Sequence, residues 1–372
     1  MKKSTEPVRV LIVLGGLDRG GAQSVVMNYY YFMDKSKVQF DFITHCLERG
    51  ELEDEIEKLG GRVFHFPRFK VYNIFEYVKS WKEFLADHHD YVAIHAHMAS
   101  TACLFIPMAK KYGIKTIAHA HTSRDVGNTI KKGLERFSFL LVDYMADYFF
   151  GCSKEAAVFR FGKNILKNSK YEIWYNAIDL TKFQFSYQKR CEIRNLLNIK
   201  PDELVIGNVG RLSYPKNHDF LLKVYKEYLK QNSLSRLLLV GSGDMEQQII
   251  NNVHLMGLAS HVIFTGSVEN VQDYLAAMDI FVFPSRWEGL PVSVVEAQAS
   301  GLYCLISSNV TREVSVSHNI EFDDLSKGVD FWVSRITDAP RVNRASFILK
   351  NSNYDIKKAA KKAEQFYLSL KK

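Results

Sequence analysis

Short apolar runs bounded by glycine-rich or polar turns alternate with amphipathic stretches along almost the whole chain. Val8–Leu14 is apolar except for Arg9 and reads as a buried strand. Runs at 40–44, 63–66, 91–95, 115–118, 148–151 and 171–174 read the same way. Between them 22–33, 74–86, 100–111 and 154–161 carry helical spacing. A second series follows, with strands predicted at 204–209, 236–240, 262–265, 280–283 and 303–306. Helices are predicted at 219–230, after Gly241-Ser-Gly-Asp244, after Val268-Glu-Asn270, and at 291–300. Near-continuous apolar strands alternating with helices predict parallel sheets covered on both faces. The aperiodic stretch 181–189 separates the two series and reads as a linker. The longest predicted helix is 129–149. Its Ile130, Leu134, Phe137, Leu141, Tyr144 and Tyr148 recur at helical spacing and predict a core-facing stripe, with Lys131, Lys132 and Arg136 near its start. A second reading lays that apolar and basic surface on an anionic membrane. Residues 355–372 predict a final helix, rich in Ala and Lys, with Phe366, Tyr367 and Leu370 at its apolar end.

Composition adjusts this picture in few places. A chain of 372 residues suits two domains, and 47% hydrophobic with 13% aromatic residues is enough for two cores. The net charge of +8 suits anionic ligands or an anionic membrane face. No apolar run approaches the ~20 residues that span a bilayer. No secretory leader is expected, because the first strand runs into Gly15-Gly-Leu-Asp-Arg-Gly-Gly21 rather than a small-residue cleavage site. Cys46, Cys103, Cys152, Cys191 and Cys304 are scattered, with no C-x-x-C, and read as thiols in a reducing compartment.

The densest chemistry lies at 281–301, where a strand, a turn holding Pro284, Ser285, Gly289 and Pro291, and a helix ending before Gly301 follow one another. Glu288 and Glu296 bracket the expected helix start. The N–H groups of Gly289 and Leu290 are expected to project there as an anion site beside two carboxylates that can accept from hydroxyls. A ligand both phosphorylated and hydroxyl-rich fits; a nucleotide sugar is the plainest example. Arg211 and Lys216 lie on the loop that closes strand 204–209 and suit a diphosphate, one as a planar fork and one as a point charge. Near the N-terminus, the glycine loop joins a strand to a helix, a geometry that lets backbone approach a phosphate or sugar closely. It is not G-x-G-x-x-G, so a dinucleotide fingerprint is not predicted. Two His-x-His pairs, His95/His97 and His119/His121, fall at strand ends, where ligands of parallel sheets bind. Zinc would want such imidazoles. No Cys or acidic cluster at ligand spacing supports it, and a sugar-contacting role for one of them is expected instead.

In this order the motifs resemble the retaining family 4 glycosyltransferases of GT-B fold, close to those of bacterial capsular and exopolysaccharide synthesis. The matching parts are Gly-Gly-Leu-Asp-Arg-Gly-Gly-Ala-Gln at 15–23, His-Ala-His-Thr at 119–122, Cys-Ser-Lys-Glu at 152–155 and Tyr-Asn-Ala-Ile-Asp at 175–179. They continue with Asn-Val-Gly-Arg-Leu-Ser-Tyr-Pro-Lys-Asn-His at 208–218, Val-Gly-Ser-Gly-Asp at 240–244, Phe-Thr-Gly at 264–266 and Glu-x7-Glu at 288–296. The resemblance implies an α/β chain of two Rossmann-like doubly wound domains, 1–182 and 183–354, facing across a cleft. The first would serve the acceptor and the second the nucleotide sugar, with the C-terminal helix 355–372 crossing back to the first. It implies that Arg211 and Lys216 hold the donor diphosphate, that Glu296 binds the ribose, and that Glu288 with the Gly289 and Leu290 amides binds the donor sugar. Gly16, Gly20 and Gly21 would floor the sugar-phosphate site, and His121 would face the donor sugar. Asn176 departs from the family's Asn-Gly turn, being followed by Ala177.

The implied activity is retaining, metal-independent transfer of a hexosyl unit from a nucleotide sugar, with UDP the expected nucleotide. The expected acceptor is a lipid-linked saccharide. No metal or other cofactor and no nucleic acid is expected. The expected place is the cytoplasm, peripheral on the inner face of the plasma membrane through 129–149. Two other readings share these residues: a nucleotide-sugar 2-epimerase on the same fold, and a binding protein without turnover.

Overall fold

The computed structural model describes residues 6–98, 101–121, 129–340, 342–349 and 352–371, with side chains of 129–136 set aside. The chain divides into two compact units, Met1–Ile178 with Asn353–Lys372, and Asp179–Ser352.

The first unit runs β1 (Val8–Leu14), α1 (Gly21–Phe32), β2 (Val38–Thr44), α2 (Glu53–Lys58), β3 (Val63–His65), α3 (Ile74–Asp87), β4 (Ala93–Ala96), α4 (Ala102–Lys111), β5 (Lys115–Ala120), α5 (Thr129–Met145), β6 (Tyr148–Gly151), α6 (Lys154–Phe161) and β7 (Tyr171–Ile173). Its strands lie parallel in the order β3-β2-β1-β4-β5-β6-β7. All seven residues of β2 are buried, as expected of a strand covered on both faces. One core layer centres on Trp81, whose ring stacks on Phe105 at 4.2 Å beside Phe66 and Phe84.

The second unit runs α7 (Tyr187–Leu196), β8 (Leu204–Val209), α8 (His218–Gln231), β9 (Ser235–Val240), α9 (Glu246–Leu255), β10 (Val262–Phe264), α10 (Val271–Ala277), β11 (Ile280–Phe283), α11 (Val292–Ala299), β12 (Tyr303–Ser307), β13 (Ile320–Asp323) and α12 (Val329–Thr337). The strands are again parallel, in the order β10-β9-β8-β11-β12-β13.

The last helix, α13 (Ile356–Ser369), belongs to the first unit. Asp355 caps it by accepting from Lys357 N–H at 3.0 Å. Around that cap Ile178 N–H donates to Tyr354 O at 2.9 Å, and Ile356 N–H donates to Ile178 O at 3.0 Å. The helix buries Ile356, Ala360, Ala363 and Tyr367, a stripe at helical spacing.

Three expectations need correction. The helix predicted at 129–149 stops at Met145, and Tyr148 stands in β6, because the strand begins three residues later. The stripe expected to face the core does not: Phe137 is 63% exposed, Tyr144 91% and Leu141 39%, with Leu140 beside them at 64%. Val142 is buried on a different face of the helix, and Ala146, just past its end, is buried as well. The side chains of Ile130, Lys131, Lys132, Leu134 and Arg136 lie outside the described residues. Finally, the stretch read as a linker through 189 already enters α7 at Tyr187, whose start is capped by the Ser186 hydroxyl accepting from Lys189 N–H at 3.2 Å.

Candidate active site

In each sheet the strand order reverses direction at one place, between β1 and β4 and between β8 and β11. Crevices open at the carboxyl ends of strands beside such a reversal. Except for His121, which follows β5, the candidate residues follow strands that flank these two places, each within its own unit.

In the second unit Arg211 and Lys216 follow β8, and Glu288 follows β11. Backbone bonds zip the β8 loop to the β9 loop: Leu212 N–H donates to Ser242 O at 3.0 Å, and Met245 N–H to Leu212 O at 2.9 Å. Two glycines permit this approach. A Cβ on Gly241, held at φ +131°, would lie 2.2 Å from Gly210 O, and one on Gly243 would lie 2.4 Å from Leu212 O. On its other side the loop is tied to the β11–α11 turn. Arg286 N–H donates to Pro215 O at 2.7 Å, and the Asn217 amide donates to Pro284 O at 3.1 Å. Asn217 itself adopts the left-handed conformation, φ +59°, which an Asn tolerates well.

The result is that Lys216 Nζ lies 2.8 Å from Glu288 Oε1, with both side chains mostly buried, and 4.6 Å from the Phe283 ring centroid. Arg211 is exposed on the same loop and makes no ion pair among the described residues. α11 begins after Pro291, which offers no side-chain cap, and Leu290 is buried beneath its start. Glu296, one turn into α11, is partly covered, and desolvation pushes its carboxyl up to about 7. The cation, the acid and the helix start thus share one edge of one sheet. That assembly can hold an anion against hydroxyl-bearing groups.

In the first unit the glycine loop follows β1. Gln23 donates to Gly16 O at 3.0 Å, and Ser24 N–H donates to Gly20 O at 2.8 Å. A Cβ on Gly16 or Gly21 would meet nothing within 4 Å, so these two residues face open space. One on Gly20 would strike the Gln23 side chain at 2.7 Å.

Both histidine pairs stand at the ends of β4 and β5. The β4–β5 register pairs His95 with Ile117, which sets His97 level with His119. The rings pile up, His95 on His97 at 4.3 Å and His119 on His121 at 4.1 Å between centroids. His95 Nδ1 bonds the Tyr367 hydroxyl of α13 at 2.7 Å, and its Nε2 bonds His119 Nδ1 at 3.0 Å. His97 Nδ1 bonds His121 Nε2 at 2.6 Å. Burial holds all four well below the usual imidazole range, His95 at about 3 and His121 at about 4, so the rings are neutral. Ligand atoms of His95, His97 and His119 lie within 4.8 Å of one another. A cation there would have to displace ring bonds, since both nitrogens of His95 are already engaged.

Sequence reasoning missed the direct Lys216–Glu288 ion pair and the tie from His95 to α13. No local pattern marks them: Tyr367 is 272 residues from His95. It also missed Asn217, whose position inside the Lys-Asn-His run hinted at a left-handed turn.

Comparison with known proteins shows the family and the fold. Residues 19–182 match the family model described as Glycosyltransferase Family 4, and residues 189–321 match that of Glycosyl transferases group 1. The putative glycosyltransferase EpsF of Bacillus subtilis (strain 168) is 34% identical over 340 residues, covering 90% of this chain and 88% of that one. The UDP-Gal:alpha-D-GlcNAc-diphosphoundecaprenol alpha-1,3-galactosyltransferase of Escherichia coli is 26% identical over 378 residues, 94% of each. Among solved structures, Anabaena Alr3699/HepE in complex with UDP and glucose superposes with a TM-score of 0.76 at 15% identity, covering 97% of this chain and 100% of that one.

Proposed function

The chain belongs to the family 4 glycosyltransferases, of GT-B fold, and on that premise we propose that it moves a hexosyl unit from a UDP-sugar to a lipid-linked saccharide in surface polysaccharide synthesis, with retention and without a metal. The observation that carries the reading is the Lys216–Glu288 pair at the edge where the strand order reverses. Transfer from a nucleoside diphosphate develops negative charge on the departing group. Fixed cations and a helix start aimed there stabilise it most when they need no rearrangement. Lys216 is held by its loop's bonds to Pro284 O and Arg286 N–H, so it is positioned before any ligand arrives. A diphosphate competing for Lys216 leaves the Glu288 carboxylate to accept from sugar hydroxyls. Arg211 adds a fork from the same loop, and Glu296 accepts from the ribose. Gly16, Gly20 and Gly21 give the donor's sugar-phosphate a close backbone approach, and His121 faces the sugar.

The acceptor class rests on the Escherichia coli relative, whose name specifies a diphosphoundecaprenol-linked saccharide, and the nucleotide rests on that relative and on the UDP of the Anabaena structure. No described helix is long and apolar enough to cross a membrane. The exposed Phe137, Leu140, Leu141 and Tyr144 of α5 support contact with a bilayer surface where such an acceptor resides.

Product analysis tests the reading. Purified protein is incubated with a panel of UDP- and GDP-sugars and an undecaprenyl-diphosphate monosaccharide, and products are resolved by mass spectrometry and NMR. The expected product is a disaccharide lipid whose new linkage keeps the donor's anomeric configuration. An epimerised nucleotide sugar formed without acceptor would replace this reading with the 2-epimerase, and tight UDP binding with no turnover would replace it with a binding protein.

A further inference from the structure

We propose that His97 is a positioning residue for His121: its Nδ1–H, donated to His121 Nε2, fixes the His121 ring and leaves His121 Nδ1 as an N–H donor toward the sugar. This rests on the reading that His121 faces the donor. The first support is the bond itself, 2.6 Å between the two nitrogens. Both rings are neutral, so the bond contains a single proton and each ring has one tautomer in it. Of the two arrangements, one places the proton on His97 Nδ1 and leaves its Nε2 a lone pair. The other places it on His121 and leaves His97 Nε2 an N–H. His97 Nε2 is buried with no hydrogen-bond partner among the described residues. Orphaned buried N–H groups are the rarer case, which favours His97 as donor.

The second support is the way His97 is itself held. Its ring stacks on His95 at 4.3 Å and lies 5.0 Å from that of His119. His95 cannot turn freely, because Tyr367 holds one of its nitrogens and His119 the other. The orientation of His121 is thereby anchored through His97 and His95 to α13, the helix that ends the chain. A histidine whose second nitrogen is fixed by a neighbour presents one defined group to its ligand.

The test combines tautomer and rate. Asparagine places an amide N–H near the position of a histidine Nδ1, whereas glutamine reaches further. In protein labelled with 15N-histidine, long-range proton–nitrogen correlation at neutral pH should show His121 Nε2 as the bare nitrogen and Nδ1 as the protonated one. His97→Ala should mix the two tautomers. It should lower kcat for transfer on the order of 10–100-fold, the scale seen when a residue that orients a functional histidine is removed. Its affinity for UDP should stay unchanged. His97→Asn should recover most of the rate, and His97→Gln should not. If His97→Ala does not fold, the Asn and Gln pair decides, and equal rates in the two overturn the proposal. An unchanged His121 tautomer in His97→Ala, or wild-type kcat in a variant series where His121→Ala is impaired, overturns it as well. Wild-type turnover in His121→Ala removes His121 from the site and this inference with it, while the Arg211–Lys216–Glu288 reading stands.

Discussion

At the scale of single residues, Glu296 shows how burial and function pull apart. Its folded carboxyl titrates at about 7, above the ordinary glutamate value near ~4.3, because desolvation penalises its charge. The stability this lends is fully present below the unfolded value and is lost as pH rises through about 7. Glu296→Gln should therefore melt higher than the wild type at pH 8 and nearly alike at pH 4, in thermal scans across that range; a pH-independent difference would contradict it. The same variant should bind UDP more weakly, since an amide is a poorer acceptor for ribose hydroxyls. Types and spacings were legible: Glu-x7-Glu and the Arg–Lys loop, taken together and in order, read as a candidate anion site. Their environments were not legible. Nothing in the sequence shows that Lys216 rests against Phe283, or that four histidines form one stacked, neutral group.

At the scale of elements, the buried parallel strands were read to within a residue or two, because strands covered on both faces are written as unbroken apolar runs. β13 was missed because three of its four residues are only partly covered, and Ile-Glu-Phe-Asp carries no such run. α7 was missed because few of its residues are apolar and its main anchors are arginines. Arg190 and Arg194 reach Asp279 at 2.6 Å each and donate to the last carbonyls of α10, where Arg344 joins them through Met278 O at 2.6 Å. Cations suit a helix C-terminus, but three in one place need their acid. Asp279→Asn should cost about 3 kcal/mol in urea unfolding, whereas a loss within experimental error would show that the carbonyls alone satisfy the arginines. α5 misled for another reason: its apolar residues occupy more than one face, and periodicity alone does not say which face is buried. Its exposed face makes a separate prediction. Flotation with anionic liposomes should fall several-fold in Phe137→Ser/Tyr144→Ser, and again when Lys131, Lys132 and Arg136 become Glu; unchanged flotation in both would detach α5 from the membrane.

At the scale of the whole molecule, two sheets each reverse their strand order once, and the candidate residues, His121 after β5 excepted, follow the strands that flank those reversals rather than any one segment of sequence. The tail returns to the first unit, where its buried stripe and Tyr367 complete the core beneath the histidines. That return was expected from family resemblance, not from the tail's own residues, whose Ala and Lys would suit any surface helix. The account turns on charge neutralisation of the departing nucleotide by the β8 loop. The most direct measurement is calorimetric titration of UDP into the full chain and into Lys216→Ala, with the rate of sugar transfer followed in parallel. The account predicts at least tenfold weaker binding, about 1.4 kcal/mol, and collapse of transfer in a variant that melts close to the wild type. Equal UDP affinity and near-normal transfer in Lys216→Ala would contradict it.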